Sequence, residues 1–436
     1  MTRPSPSPAP AARLHAAILA ALLAALAAPA RGEPVPDTLT FAPVPAADTA
    51  ASSEVTFHPE DESEWLRAPF GDNLLTAPEP WRSRHPHGAR GGELLVDYNR
   101  VDLLRYGARV ELQSPETLYP RIGGRFEYAT GRRRTLYGVQ FEQPLLPTGR
   151  FVLGASMTRR TDHSELQQVD DLENSLALLF AREDYRDYFE REGGGVYVAW
   201  RVPGFSTVSV QARRDQYRSL PMSAHVTSWF NSGRTLRPNP AVDEGESHSV
   251  ALRLERLARR TRHTRAGLYH WIEVERAGGR LGGDFDYTRA IADVRSVVRL
   301  MPAVTLSLRA VGGATAQGVL PVQKQFTAGG VDGLRAHPFG SLRGDELALG
   351  QAEYAVGLWH LHSGGVRAGV NALAFMDTGT AWTCPAGRWD VGRQKFAVDG
   401  GFGLATSEDG ARVYFARDLQ DPDSKFVVTL RLQRPF

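Results

Sequence analysis

The sequence predicts an all-β fold: a transmembrane antiparallel β-barrel of about 16 strands, with an extracellular loop folded into its lumen. Three observations predict this fold. The chain opens with a segment typical of export, strands with one apolar and one charged face recur from about residue 93, and a Gly-rich loop interrupts them late in the chain. Strands of about ten residues are long enough to cross a bilayer at a tilt.

The first thirty residues have the organisation of a secretory signal peptide. Arg3 and Arg13 precede an apolar run at 16–28, and residues 28–30 form a small-x-small cleavage site. The run is shorter than the ~20 apolar residues that a membrane-spanning helix needs, although a membrane anchor is the alternative. We predict cleavage after Ala30, export, and a final location in the bacterial outer membrane.

The overall composition excludes several classes of function. The chain has 51 basic and 49 acidic residues, so its charge balance implies no nucleic acid or other polyanion as a partner. A single cysteine, Cys384, excludes an internal disulfide and a multi-cysteine metal site, and no cofactor is predicted. A hydrophobic content of 42% fits a soluble exported protein as well as a barrel. Composition therefore leaves the decision to periodicity.

Residues 31–92 differ in composition from the rest of the chain. They are rich in Pro, Ala, Thr and Ser and contain few large apolar residues to bury. Such a segment is predicted to be a largely disordered periplasmic leader. The barrel is then expected to occupy 93–436.

Period-two alternation is the main evidence for strands. In one example Val250, Leu252 and Leu254 alternate with Arg253 and Glu255, which gives a strand one dry and one wet face. A soluble β-sandwich would show the same alternation. Strands near ten residues and many charges on the wet face favour a bilayer-spanning barrel, because globular strands centre on five or six residues.

The alternation predicts sixteen strands, and an even number is what bacterial single-chain barrels have. The segment 174–183 fits a helix start equally well and is counted as a strand because of parity. With it, the stretches 218–245 and 312–347 follow strands seven and eleven and lie outside. The predicted strands are 104–113, 119–129, 132–144, 149–159, 174–183, 193–202, 206–217, 246–257, 264–275, 284–298, 302–311, 348–358, 366–376, 395–405, 411–418 and 425–435.

The last strand ends on an aromatic residue. The segment KFVVTLRLQRPF alternates apolar with polar residues and closes on Phe436, which would lie in the periplasmic aromatic girdle. Such endings resemble the sorting signal read by the barrel-assembly machinery, so Phe436 is the predicted sorting signal and that machinery a predicted partner during biogenesis.

Three short motifs occur in a fixed order. GGVDGLR begins at Gly329 and Gly330 and matches a GG-x-x-x-[VL]-R-G-[YF] pattern, and FMDTG from Phe375 to Gly379 matches F-x-D-x-G. YNRVD at 98–102 is similar to a YNRVEG-like strand entry. Together these motifs resemble the BamA/TamA-like outer-membrane protein superfamily, also called bacterial surface antigens, over about 93–436.

The resemblance implies a contact between the loop and the inner wall. In that family the loop arginine meets the aspartate of F-x-D-x-G, which here pairs Arg335 with Asp377. On a strand Asp377 shares a face with Phe375, opposite Met376, so its carboxylate is expected to face the lumen. There a guanidinium gains a charge-assisted contact, and Glu353 should join it. A solvated loop charge is the alternative for Arg335.

The chain departs from the family pattern in two places. Ala336 and His337 replace the expected Gly-aromatic pair, and Arg343, in a literal L-R-G triplet, is a rival to Arg335 as the anchor. Residues 31–92 are too few and too Pro-rich for a POTRA domain. Client delivery by such domains is therefore not implied.

No catalytic motif of the GxSxG, Walker, HExxH or CxxC type is present, and we predict that the chain is not an enzyme. The first hypothesis is a barrel that helps insert or translocate proteins or lipids, with outer-membrane lipids, lipopolysaccharide and a protein or lipid client as partners. The second is a passive pore or structural surface protein whose loop constricts the lumen.

Overall fold

Sixteen antiparallel strands form one sheet in the computed structural model, which describes residues 90–112, 118–202, 206–230, 233–256, 267–363, 366–406 and 411–432. Each strand pairs with its neighbours along the chain, except that two short strands, β12 (Phe326–Thr327) and β13 (Arg343–Gly344), pair with each other inside a loop. The sixteen are β1 (Arg90–Asn99), β2 (Leu103–Leu112), β3 (Arg121–Ala129), β4 (Arg134–Pro144), β5 (Phe151–His163), β6 (Tyr188–Val202), β7 (Ser206–Ser219), β8 (Gly245–Arg256), β9 (Gly267–Ala277), β10 (Tyr287–Met301), β11 (Val304–Gly318), β14 (Glu346–Ser363), β15 (Val366–Trp382), β16 (Ala397–Thr406), β17 (Arg412–Asp418) and β18 (Val427–Arg431).

In the described residues, helical structure is confined to connections between strands. The connection from β5 to β6 holds one helix, α1 (Asp171–Leu176), which continues into a π-helical turn at Ala177–Ala181. Single 3-10 turns occupy Gly279–Leu281, Val322–Lys324 and Val391–Arg393. Within the part of the chain that is described, no helix has the length and apolarity to cross a bilayer.

The sheet buries its charged face and exposes its apolar face, the reverse of a soluble protein. On β8, Arg253 is 2% exposed while its neighbour Leu252 is 53% exposed. Across the strand pair, Arg253 donates to the buried Glu273 of β9 at 2.7 Å. Apolar outside and polar inside is the pattern of a barrel whose outer surface meets lipid. The predicted transmembrane β-barrel is confirmed.

The predicted strand count is right, although one predicted strand is not a strand and one observed strand is not among those predicted. Residues 174–183 are helical: Asp170 caps the start of α1 by accepting from the N–H of Leu172, and acidic residues fill its first turn. The first strand is instead Arg90–Asn99, which lies before the first predicted strand. The two errors cancel, so the long connections still follow strands seven and eleven.

Strand parity puts the long connections at one end of the barrel. Those after β5, β7 and β11 all lie there, while β10 and β11, for example, are joined at the other end by two residues. Long loops are typical of the extracellular end. The predicted signal peptide at 1–30, nearly all of the leader at 31–92, and Phe436 lie outside the described residues.

Candidate functional site: the inner loop and its anchors

The connection between β11 and β14, residues 319–345, folds into the lumen and is called the inner loop below. Its turn is tight, because Gly330 has a φ of 105° and donates to the carbonyl of Leu334 at 3.1 Å. The N–H of Leu334 in turn donates to Ala328 at 2.7 Å. A Cβ on Gly333 would lie 2.0 Å from the oxygen of Ala328, so only glycine fits there. This turn directs Arg335 at the barrel wall.

Arg335 contacts two acidic residues of the wall. Its Nε and Nη2 donate to the two oxygens of Asp377 on β15 at 2.9 and 3.0 Å, and its Nη1 lies 3.4 Å from Glu353 on β14. The Arg335 side chain is 1% exposed. Burial alone disfavours its charge, but Asp377, Tyr414 and Glu353, with Asp377 the largest contributor, together outweigh that effect and raise the pKa of Arg335 above its ordinary value. The guanidinium is therefore held charged in a dry site.

Two aromatic rings enclose the same guanidinium. The Cζ of Arg335 lies 3.9 Å from the ring centre of Phe375 and 4.6 Å from that of Tyr414, within the range of cation–π attraction. The hydroxyl of Tyr414 also donates to Glu353 at 2.7 Å, and Arg412 donates to Glu353 at 2.6 Å. Glu353 thus has partners of its own, and Asp377 is the main counter-ion of Arg335.

The tip of the inner loop contacts a third strand. The N–H of Ala336 donates to Asp399 on β16 at 2.6 Å, and Nδ1 of His337 lies 2.9 Å from the other oxygen of that carboxylate. Asp399 pairs in register with Asp377 on one side and Asp418 on the other. A row of three aspartates therefore receives the loop tip. Sequence reasoning did not identify Asp399, because cross-strand register is not visible in one sequence.

A second anchor lies at the start of the inner loop. The Nζ of Lys324 is 3.2 Å from Glu165 and 3.0 Å from Glu275 on β9. Arg289 of β10 completes the cluster, with its Nη1 2.7 Å from Glu165. Phe326 lies two residues further along the chain and is fully buried. The Cζ of Arg289 lies 4.9 Å from the centre of the Phe326 ring. The loop is thus attached to β9 and β10 as well as to β15 and β16.

Three further residues singled out from the sequence, Arg343, Gly329 and Gly379, lie in or against the inner loop or on the barrel wall. Arg343 contacts Asp187 at 3.0 Å, away from Asp377, so Arg335 occupies the position for which the two arginines were rivals. A Cβ on Gly329 would lie 2.4 Å from a backbone oxygen, and one on Gly379 2.8 Å from another. Both glycines therefore permit close approach of backbone. Phe436 is not among the described residues.

A barrel with an apolar exterior, a charged lumen and a loop anchored inside it defines the class: an outer-membrane barrel with an internal loop. The Omp85 superfamily domain matches residues 121–406, which is more than half of the chain. The chain belongs to the Omp85 superfamily.

Three solved structures resemble the chain at low sequence identity, and the first of them shares its fold. BamA from Haemophilus ducreyi lacking POTRA domains 1-3 is 12% identical, with a TM-score of 0.53 over 79% of this chain and 70% of that one. CdiB from Acinetobacter baumannii is 13% identical, with a TM-score of 0.42 over 79% and 60% of the two chains. CdiB from Escherichia coli is 11% identical, with a TM-score of 0.45 over 80% and 62%. No curated protein matches the chain in sequence.

Proposed function

We propose that this barrel helps insert or translocate proteins or lipids at the bacterial outer membrane, and that Arg335, Asp377 and Glu353 lock the inner loop in its working position. Membership of the Omp85 superfamily supports the general activity. The partners are outer-membrane lipids, lipopolysaccharide and a protein or lipid client. We infer that the chain works without enzymatic chemistry and that the barrel-assembly machinery inserts it.

The observation that carries this proposal is the buried two-bond contact between Arg335 and Asp377. A buried ion pair adds little net stability, because the cost of removing both charges from water offsets their attraction. What such a pair does supply is one defined position for the groups that carry it. A loop that merely narrowed a pore would not need that definition. The contact therefore favours an active barrel with a positioned loop.

The extent of the inner loop supports the same conclusion. Lys324 attaches its start to Glu275 on β9, while Arg335 attaches its tip to Asp377 on β15. In the order of the sheet, three strands lie between β9 and β15. The loop therefore bridges well-separated parts of the wall, which restricts free passage through the lumen.

The test compares Arg335→Ala with the matched control Arg343→Ala, which removes an arginine from the same loop but not from the lock. Each protein is reconstituted into vesicles and given either an unfolded eight-stranded outer-membrane barrel or a fluorescent phospholipid as the probe. Migration of the unheated protein on a gel reports whether the barrel itself is folded. We expect Arg335→Ala to fold and lose insertion or lipid transfer, and Arg343→Ala to retain it.

The second hypothesis, a passive pore or structural surface protein, predicts a different result. Under it, Arg335→Ala would raise ion conductance in planar bilayers, while the wild-type protein would be inactive with either probe. If Arg335→Ala changes neither activity nor conductance, the lock is overturned. Amino-terminal sequencing of the mature protein tests the predicted cleavage after Ala30 separately.

A further inference from the structure

The strands β1 and β18 stand at the two ends of the sheet, and among the described residues neither pairs with a further strand. On the β1 side, Tyr98 pairs with Leu104 of β2, and the carbonyl of Leu104 accepts from Thr130 on its far side. Leu104 therefore directs its backbone groups away from Tyr98. In antiparallel pairing this makes Tyr98 and Leu104 a non-hydrogen-bonded pair. The N–H of Tyr98 consequently points out from the free edge of the sheet.

The same reasoning applies to the other end of the sheet. Ala411 accepts from the N–H of Thr406 on β16, so the backbone groups of the next residue, Arg412, point towards β18. Arg412 is paired with Arg431, whose backbone groups point back towards β17. The N–H of Leu432, one residue further on, therefore points out from the free edge of β18.

Helix α1 supplies an acceptor to each of these edge groups. The N–H of Tyr98 donates to the Oγ of Ser175 at 2.8 Å, and the N–H of Leu432 donates to Glu173 at 3.1 Å. Residues two apart on a helix project about 200° from each other, since each residue turns the helix by about 100°. A single turn of α1 can therefore contact one strand edge on each side.

Further contacts fasten α1 at both edges. The Ser175 hydroxyl also lies 3.0 Å from Asp97 of β1, and Glu173 forms an ion pair with Arg431 of β18. All four side chains are buried. Between them the buried Asn174 donates to Asp184 at 3.2 Å, which ties the helix to its own connection. Water therefore has little access to the contacts at either edge.

The helix is also linked to the inner loop. Arg431 donates to the carbonyl of Val331 at 2.9 Å and lies 3.1 Å from Asp332, and the N–H of Gln168 donates to that same Asp332 at 2.8 Å. Arg431 thus holds α1, the inner loop and the last strand together.

We propose that α1 is a staple across the seam between β1 and β18, and that the seam opens only when Glu173 and Ser175 release its two edges. Unpaired edge groups are templates for an arriving extended strand, which would replace these side chains as the acceptor. This inference deepens the proposed function: the reason for the seam to open rests on that function. The closing of the seam by α1 is argued only from the contacts of Ser175 and Glu173 with the two edges.

The test measures the width of the seam directly. Leu94 of β1 and Leu430 of β18 are both exposed and receive nitroxide labels through cysteine substitutions, in a full-length chain with Cys384→Ser. Pulsed dipolar spectroscopy of the barrel in lipid nanodiscs gives the distribution of distances between them. We expect the Glu173→Ala/Ser175→Ala double variant to shift this distribution to longer and broader values.

The matched control is Leu172→Ala, on the same helix but 59% exposed. It should keep the wild-type distribution. A wild-type distribution in a folded double variant overturns the staple, as does equal broadening in the control. If the double variant does not fold, Ser175→Ala and Glu173→Gln are measured singly, and an unchanged distribution in both also overturns it.

This measurement contains no client, so its failure is distinct from failure of the proposed function. A staple without effect leaves the activity of the wild-type barrel, and the loss expected for Arg335→Ala, untouched. Conversely, if the wild-type protein is inactive in vesicles, the proposed function is contradicted. The distances between the labels still report whether α1 closes the seam.

Discussion

Arg335 on the inner loop and Asp377 on β15 are joined by two hydrogen bonds of 2.9 and 3.0 Å, across 42 residues of chain. Both side chains are almost completely removed from solvent. An arginine in a protein does not lose its proton, so each charge depends on the other for compensation. Removing either charge alone should therefore destabilise the docked inner loop, whereas removing both charges should destabilise it much less.

The first prediction concerns that asymmetry. Arg335→Ala leaves the buried carboxylate of Asp377 uncompensated and should destabilise the docked loop by about 3–5 kcal/mol. The double variant Arg335→Met/Asp377→Leu removes both charges and should recover most of this loss. Urea unfolding in micelles, together with trypsin cleavage in the inner loop, measures the effect. Equal destabilisation in the single and double variants would show that the ion pair is not its cause.

The second prediction concerns the turn that presents Arg335. Gly333→Ala would place a Cβ 2.0 Å from the oxygen of Ala328, which the turn cannot accommodate. We expect the inner loop to undock and become as sensitive to trypsin as in Arg335→Ala. Gly312→Ala on β11 is the control, because nothing lies within 4 Å of its added Cβ. A resistant loop in Gly333→Ala would mean that the backbone can shift without releasing Arg335.

The barrel was predictable because alternation is a local property of each strand, but its exact membership was not. In β1 the adjacent apolar residues Leu94 and Leu95 break the period of two, so this strand was missed. Asp170, followed by Asp171 and Glu173, is a helix start signal ahead of the apolar run. An even strand count requires 174–183 to be a strand only when β1 is left out, and with β1 included the helix start signal and the even count agree.

The candidate site was predictable in part for a related reason. Asp377 and Glu353 occupy inward positions that alternation along one strand reveals. Asp399 and Tyr414 reach the same site from β16 and β17, and which inward residues become neighbours depends on the register between strands. Register is set by the whole sheet and by its turns, so a single sequence does not contain it in readable form.

The third prediction is that the Lys324 anchor contributes a constant stability through neutral pH. Burial would raise the pKa of Glu165, but Lys324 and Arg289 outweigh it and hold that pKa well below 4.5. Burial would lower the pKa of Lys324, but Glu165 and Glu275 raise it well above 10.5. A carboxyl group whose pKa is lowered by folding stabilises the folded protein at pH values above its ordinary pKa. An ammonium group whose pKa is raised by folding stabilises it at pH values below its ordinary pKa. The contribution is therefore complete between about pH 5 and pH 10.

The measurement compares the wild-type protein with Lys324→Met. Because Arg289 still pairs with Glu165, we expect a loss of about 3 kcal/mol, the low end for a broken buried pair. The difference between the two urea midpoints should stay constant from pH 6 to pH 9. It should shrink progressively as the pH falls from about 4.5 towards the depressed pKa of Glu165. A difference that changes between pH 6 and pH 8 would contradict this assignment.

The last prediction concerns the tip of the inner loop, where Asp399 accepts from the N–H of Ala336 and contacts His337. Asp399→Asn keeps an oxygen that can accept from Ala336, whereas Asp399→Leu leaves that N–H without an acceptor, at a cost of about 1–3 kcal/mol. Hydrogen exchange of the Ala336 amide should therefore be fastest in the leucine variant and intermediate in the asparagine variant. Asp418→Asn is the matched control, because Asp418 lies in the same row of aspartates but 3.7 Å from His337. Slow exchange at Ala336 in Asp399→Leu would show that the loop tip is held by Arg335 alone. Exchange in the control as fast as in that variant would show that protection of this amide does not depend specifically on its bond to Asp399.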